Sequence, residues 1–75
     1  MNLSPREVEV MRLAMHGLRG KEISTVLEIS EYTVQEHKRT ILEKLKVKSM
    51  IQAVSVYYGL IRHKSSEYYD IDDVE

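Results

Sequence analysis

Two side chains four residues apart, Gln35 and Arg39, have the chemistry to read base edges. On a helix that spacing puts both on one face. A Gln amide can bond adenine bidentately, and an Arg guanidinium can bond guanine in the same way. Around them stand groups suited to a phosphate backbone: Lys21, Lys38 and the hydroxyls of Ser30 and Thr33. Glu36 can accept from a cytosine amino group or repel phosphate, and the residues leave both open. Capping alone explains Ser30 and Thr33 equally well, and a solvated helix face is the ordinary fate of residues such as Gln35 and Arg39. Other chemistry finds little support. The chain has no Cys, and His16 and His63 are lone residues without ligand spacing, so neither a metal nor a cofactor is expected. No nucleophile–base pair or phosphate-cradling glycine loop is present, so the chain does not read as an enzyme.

The elements that must position these residues lie in residues 20–45, which read as a short helix, a tight turn and a longer helix. Ile23 and Leu27 are four apart, as neighbours on one helical face are. Ser30 follows the apolar Ile29 and can cap a new helix. In that helix Val34, His37, Lys38, Ile41, Leu42 and Leu45 fall within an arc of about 140° and face the core. His37 is therefore a packed structural residue, while Lys38 at the edge of the arc can snorkel to a phosphate. The opposite face carries Tyr32, Gln35, Glu36, Arg39, Glu43 and Lys46, and only the first few of these, near the N-terminus, would reach base edges. Two helices joined so closely form a helix-turn-helix unit, whose second helix can enter a DNA major groove.

Two further helices complete the chain. Ser4, Pro5 and Glu7 form a full start signal, with Ser4 as N-cap, Pro5 at N1 and Glu7 closing a capping box. Val10, Met11, Ala14 and Leu18 then give a half-buried stripe, and Gly17 suits a left-handed C-cap. Ser49 and Gln52 offer a second capping box before a last helix. There Met50, Ile51, Ala53, Val54, Tyr57 and Tyr58 span about 160°, wider than one core contact needs. The excess predicts a dimer seam at or beside Met50, Val54, Tyr57 and Tyr58. Gly59 is expected to end this helix.

At 75 residues the chain makes one small domain with a thin core, a size at which oligomerisation often helps. No apolar run is long enough to span a bilayer, and no signal-peptide pattern opens the chain, so a soluble cytoplasmic protein is expected. The net charge of −1 hides a split. Residues 1–66 carry 11 basic and 7 acidic side chains, a net +4, while residues 67–75 carry 5 acidic and no basic ones. The body is mildly basic, as a nucleic-acid partner requires. Residues 63–75 are expected to form a disordered acidic tail, either inert or a mask competing with phosphate for Lys21, Lys38 and Arg39.

The ordered set of motifs resembles the LuxR/FixJ (GerE-type) DNA-binding domain of bacterial transcription regulators. Leu3-Ser4-Pro5-Arg6-Glu7 is similar to its opening motif. Gly17-Leu18, Lys21-Glu22-Ile23 and Leu27-x-Ile29-Ser30 are similar to its scanning helix and turn. Thr33-Val34, His37, Ile41-Leu42, Lys44-Leu45 and Val47-Lys48-Ser49 match its recognition helix and connector. Gln52-Ala53-Val54 and Gly59-Leu60-Ile61 match its last helix. The departures are Gln35 for a basic residue, Lys38 for an aliphatic one, Ser24 for Ala, Met50 for Arg, Val8 for a charged residue, and the acid Glu36. They bear on affinity more than on fold.

The resemblance implies an all-α fold of four helices, at about 5–16, 21–28, 31–45 and 50–58. It also implies a domain over residues 1–62, with its helix-turn-helix motif at about 20–39. The residues expected at double-stranded DNA are Lys21, Ser30, Tyr32, Thr33, Val34, Gln35, Glu36, Lys38 and Arg39. The family implies a homodimer through helix 4 that regulates transcription, associated with the nucleoid when bound to DNA. If 75 residues are the whole protein, it resembles stand-alone members. The alternative is an interaction protein of the same fold, an anti-regulator that pairs with or blocks a heterologous regulator; Gln35, Glu36, Met50 and the acidic tail favour it by reducing positive potential. A non-specific DNA-associated or purely structural module ranks last.

Overall fold

The computed structural model describes residues 3–68, with side chains for residues 3–62. Among the described residues all four elements are helices: α1 (Pro5–Met15), α2 (Gly20–Leu27), α3 (Glu31–Leu45) and α4 (Met50–Tyr68). α3 is central and packs against each of the other three.

Each start follows from local chemistry. At α1, Ser4 Oγ accepts from the Glu7 N–H at 3.2 Å, and Glu7 Oε1 accepts from the Ser4 N–H at 2.9 Å. The capping box thus satisfies two N–H groups that the helix leaves without partners. At α2 only the acidic half of such a box forms, the Arg19 N–H donating to Glu22 Oε1 at 2.7 Å. At α3, Ser30 Oγ accepts from the Thr33 N–H at 3.0 Å. At α4, Ser49 Oγ accepts from the Gln52 N–H at 3.2 Å, but Gln52 reaches one residue further back than a capping box requires. Its Oε1 accepts from the Lys48 N–H at 2.8 Å.

The first three helices end in one way. Gly17, Glu28 and Lys46 adopt left-handed φ values of 89°, 59° and 58°. After each, an apolar residue returns its N–H to a carbonyl of the last turn: Leu18 to Leu13, Ile29 to Ser24 and Val47 to Leu42, at 3.0–3.1 Å. This is the Schellman arrangement, in which the residue after the left-handed position also tucks back onto the helix. Leu18, Ile29 and Val47 do so, packing partly buried against the core. Only Gly17 carries the glycine that usually marks such a stop.

The core comprises Val10, Met11, Ile23, Val34, Ile41, Ala53 and Tyr57. The first six are fully buried, and Tyr57 is 6% exposed. Burial of each large side chain supplies about 1.5–3 kcal/mol. Ser24 is also buried and meets its polar need by donating to the Lys21 carbonyl at 2.7 Å. Glu7 is the other buried polar residue among those described. Its carboxylate also accepts from Lys44 Nζ at 2.8 Å, which ties α1 to the end of α3.

Several expectations need correction. α4 does not stop at 58, and Gly59 does not cap it; the helix runs ten residues further, to Tyr68. A helical Gly is a modest penalty of about 1 kcal/mol, and Ile61, two residues on, packs against the core. The acidic tail expected from residue 63 is therefore helical over residues 63–68, and the remainder, residues 69–75, lies outside the described residues. Tyr57, expected at or beside a dimer seam, fills the chain's own core and leaves little surface for a partner.

Candidate nucleic-acid interface

The turn between α2 and α3 occupies residues 28–30, and its geometry sets how α3 leaves the body. The left-handed Glu28 reverses the chain, Ile29 anchors it in the core, and Ser30 caps α3. Ser30 Oγ also donates to Thr33 Oγ1 at 2.9 Å. Both hydroxyls therefore already have capping work, and the half-buried Thr33 has little surface to offer.

Beyond the cap, α3 divides by burial. Val34 and Ile41 are fully buried. Val34, expected among the DNA-contacting residues, therefore packs inward and has no surface for a ligand. Its place on the core arc was the stronger signal. His37 is half-buried. Tyr32 is 73% exposed, and Gln35 and Arg39 are exposed. Tyr32, Gln35 and Arg39 thus share the outward face of α3.

Arg39 is not alone there. Its guanidinium bonds the Glu36 carboxylate one turn before it, and its second terminal nitrogen lies 3.7 Å from the Glu43 carboxylate one turn after it. The Glu36 hydrogen bond, then the Glu36 and Glu43 charges, raise the Arg39 pKa further above its ordinary value. The spacings i−3 and i+4 are those at which helix side chains meet. Glu43 was legible on the outward face, but its role as a partner to Arg39 was not drawn from the sequence.

Several basic groups gather near the start of α2. Lys21 is exposed in the first turn of α2. Lys38 is half-buried, and its Nζ stands 3.6 Å from the point a Gly20 Cβ would occupy. Its ammonium is thus drawn toward the start of α2. Lys38 and Arg19 line one open groove with Leu18, Met50, Ile51 and Val54, at about 370 Å³. Arg19 is exposed beside Gly20 and escaped sequence reasoning, although its position before the scanning helix was a usable signal.

On α4, Ile51 is 84% exposed, Tyr58 is 49% exposed, and Met50 and Val54 are half-buried against the core. Arg62 stacks over the Tyr58 ring at 5.7 Å. An apolar strip thus remains at the surface on one flank of this helix. Among the described residues, no helix is long and apolar enough to cross a membrane.

Comparison with known proteins places the chain in one family. The family of bacterial regulatory proteins named luxR, or GerE, matches residues 1–57. The chain is 42% identical over 55 residues to the nitrate/nitrite response regulator protein NarP of Escherichia coli, covering 73% of the chain and 26% of that protein. It is 42% identical over 62 residues to the transcriptional regulatory protein LnrK of Bacillus subtilis, covering 80% and 28%. The similarity to NarL of Escherichia coli is 41% over 51 residues, covering 68% and 24%. The chain spans about a quarter of the length of these curated relatives.

Proposed function

Because this chain belongs to the luxR family of bacterial regulatory proteins, we propose that it binds double-stranded DNA and regulates transcription, with α3 in the major groove. The family is one of regulators, not of enzymes. The observation that carries the reading is the outward face of α3, where Tyr32, Gln35 and Arg39 stand exposed beyond a capped turn. Gln35 and Arg39 supply the base-reading groups, and Lys21, Arg19 and Lys38 supply phosphate contacts near the start of α2. Ser30 and Thr33 belong to the cap first.

The same reading includes a two-fold dimer through α4. Ile51, Val54, Met50 and Tyr58 form its seam, with Tyr57 left in the monomer core. An apolar strip on one helix flank can meet its own copy in an isologous contact. It would place two α3 helices about one DNA turn apart, roughly 34 Å, on a near-palindromic site. Electrophoretic mobility shift with a random DNA pool at two salt concentrations tests the reading. A preferred sequence and a steep loss of affinity with salt are expected. No retardation at low salt would refute it.

One observation favours a second reading, an anti-regulator that pairs with a related protein. Arg39 is balanced by Glu36 and Glu43, so these three side chains carry a net −1. A stable complex with another regulator of the family, formed by a chain that retards no DNA, would support that alternative.

A further inference from the structure

Glu36, Arg39 and Glu43 make a contiguous set along the outward face of α3. Their side chains are 39%, 63% and 66% exposed, so all three can meet a ligand. As they stand, the positive group is satisfied from both sides. A phosphate approaching this face meets two carboxylates around one guanidinium, with no net positive charge to displace counterions. Sequence-independent binding therefore gains nothing here. A matched base pair step is different. Guanine offers O6 and N7 to the guanidinium fork, and a neighbouring cytosine offers an amino hydrogen to Glu36. Both partners of the pair are then rehoused together. Exposed ion pairs are weak enough to be exchanged in this way.

We propose that Glu36 and Glu43 are specificity determinants of α3: they hold Arg39 in an intramolecular clamp that suppresses binding to arbitrary DNA and opens on a guanine beside a cytosine amino group. This deepens the reading of α3 as the DNA-reading helix and rests on it. At a wrong site Glu36 is pressed toward base edges without a donor and near backbone phosphates, all within a screening length of about 8–10 Å. The clamp thus acts mainly by penalising mismatched sites, as discrimination often requires. An ion-pair network that merely supports the helix would affect folding and leave the ratio between sites unchanged.

The test compares the full chain with Glu36→Gln, Glu43→Gln and the double variant, each checked for helicity by circular dichroism. Binding is followed by fluorescence anisotropy on a random-sequence duplex and on a site selected from random DNA, across a salt series. The double variant should bind the random duplex about 3–10-fold more tightly at low salt, with a salt slope steeper by about 1 as Arg39 becomes available to one phosphate. The ratio of selected to random affinity should fall at least as far, and adding Arg39→Ala should remove the gain. Unchanged random-duplex affinity and slope in the double variant would overturn the clamp while leaving DNA binding intact. A wild-type ratio near one would overturn it as well. If neither duplex binds any variant, the reading of α3 fails, and the clamp with it.

Discussion

Glu7 gives the sharpest test of how the fold is held. Its Oε1 accepts both from the Ser4 N–H at 2.9 Å and from Lys44 Nζ at 2.8 Å. The Glu7 side chain is 8% exposed and that of Lys44 is 35% exposed. Glu7→Ala removes the reciprocal cap bond, about 1 kcal/mol. It also removes the ion pair. Breaking a fully buried pair removes about 3–5 kcal/mol, but Lys44 keeps solvent access, which brings that contribution nearer 1–2 kcal/mol. The loss should therefore total about 2–3 kcal/mol, or roughly 10–20 °C in Tm for a domain of this size. Lys44→Met leaves the more buried partner charged, so its effect must depend on pH. Burial raises the Glu7 pKa, but the Lys44 and Ser4 hydrogen bonds and the Lys44 charge outweigh it, so the folded value lies below the ordinary 4.5. A depressed carboxylate stabilises fully above its unfolded pKa, and the contribution fades as pH falls through the folded one. Urea unfolding followed by circular dichroism should show Lys44→Met strongly destabilised at neutral pH and near wild type once Glu7 is protonated. A penalty independent of pH, or additive effects in the Glu7→Gln/Lys44→Met double-mutant cycle, would refute the coupling.

The glycines separate by conformation. Gly59→Ala should stabilise by about 0.5–1 kcal/mol, because Gly59 lies inside α4 and a Cβ there meets nothing within 4 Å. Gly17→Ala should destabilise by more than about 1 kcal/mol, because its φ is +89°; thermal melts check both. Arg39→Ala should weaken binding to a selected site by about 1–3 kcal/mol and relax preference at one base, whereas Gln35→Ala should relax a different one. Competition mobility shifts with single-base variants of the site separate these outcomes. Ile51→Asp should abolish the proposed α4 dimer without unfolding the domain, since Ile51 is 84% exposed. Val54 is the poorer choice because it also packs against the core. Analytical ultracentrifugation showing an unaltered dimer would move the seam elsewhere.

What could be read from the residues alone was whatever is encoded within a turn or two of helix. The Ser4–Glu7 capping box, the Ser30 cap, the left-handed Gly17 and the periodic core positions Val10, Met11, Ile23 and Ile41 all belong to this class. Their partners lie three or four residues away, so spacing suffices to find them. The order of those local signals also carried the family resemblance, and with it the four-helix fold.

Tertiary structure decided the rest, because the deciding partners lie far off in the chain or around the helix. The left-handed Glu28 and Lys46 lack glycine, and their conformation is held by Ile29 and Val47 tucking into the core. Glu7 became a buried anchor only when α3 brought Lys44 across 37 residues of sequence. The apolar arc of α4 looked like one wide surface, but packing against the other helices took Ala53 and Tyr57 inward and left Ile51 and Tyr58 outside. Gly59 carried a stop signal on local grounds, yet a helix continues past glycine when residues beyond it still find a surface to pack on, and Ile61 does.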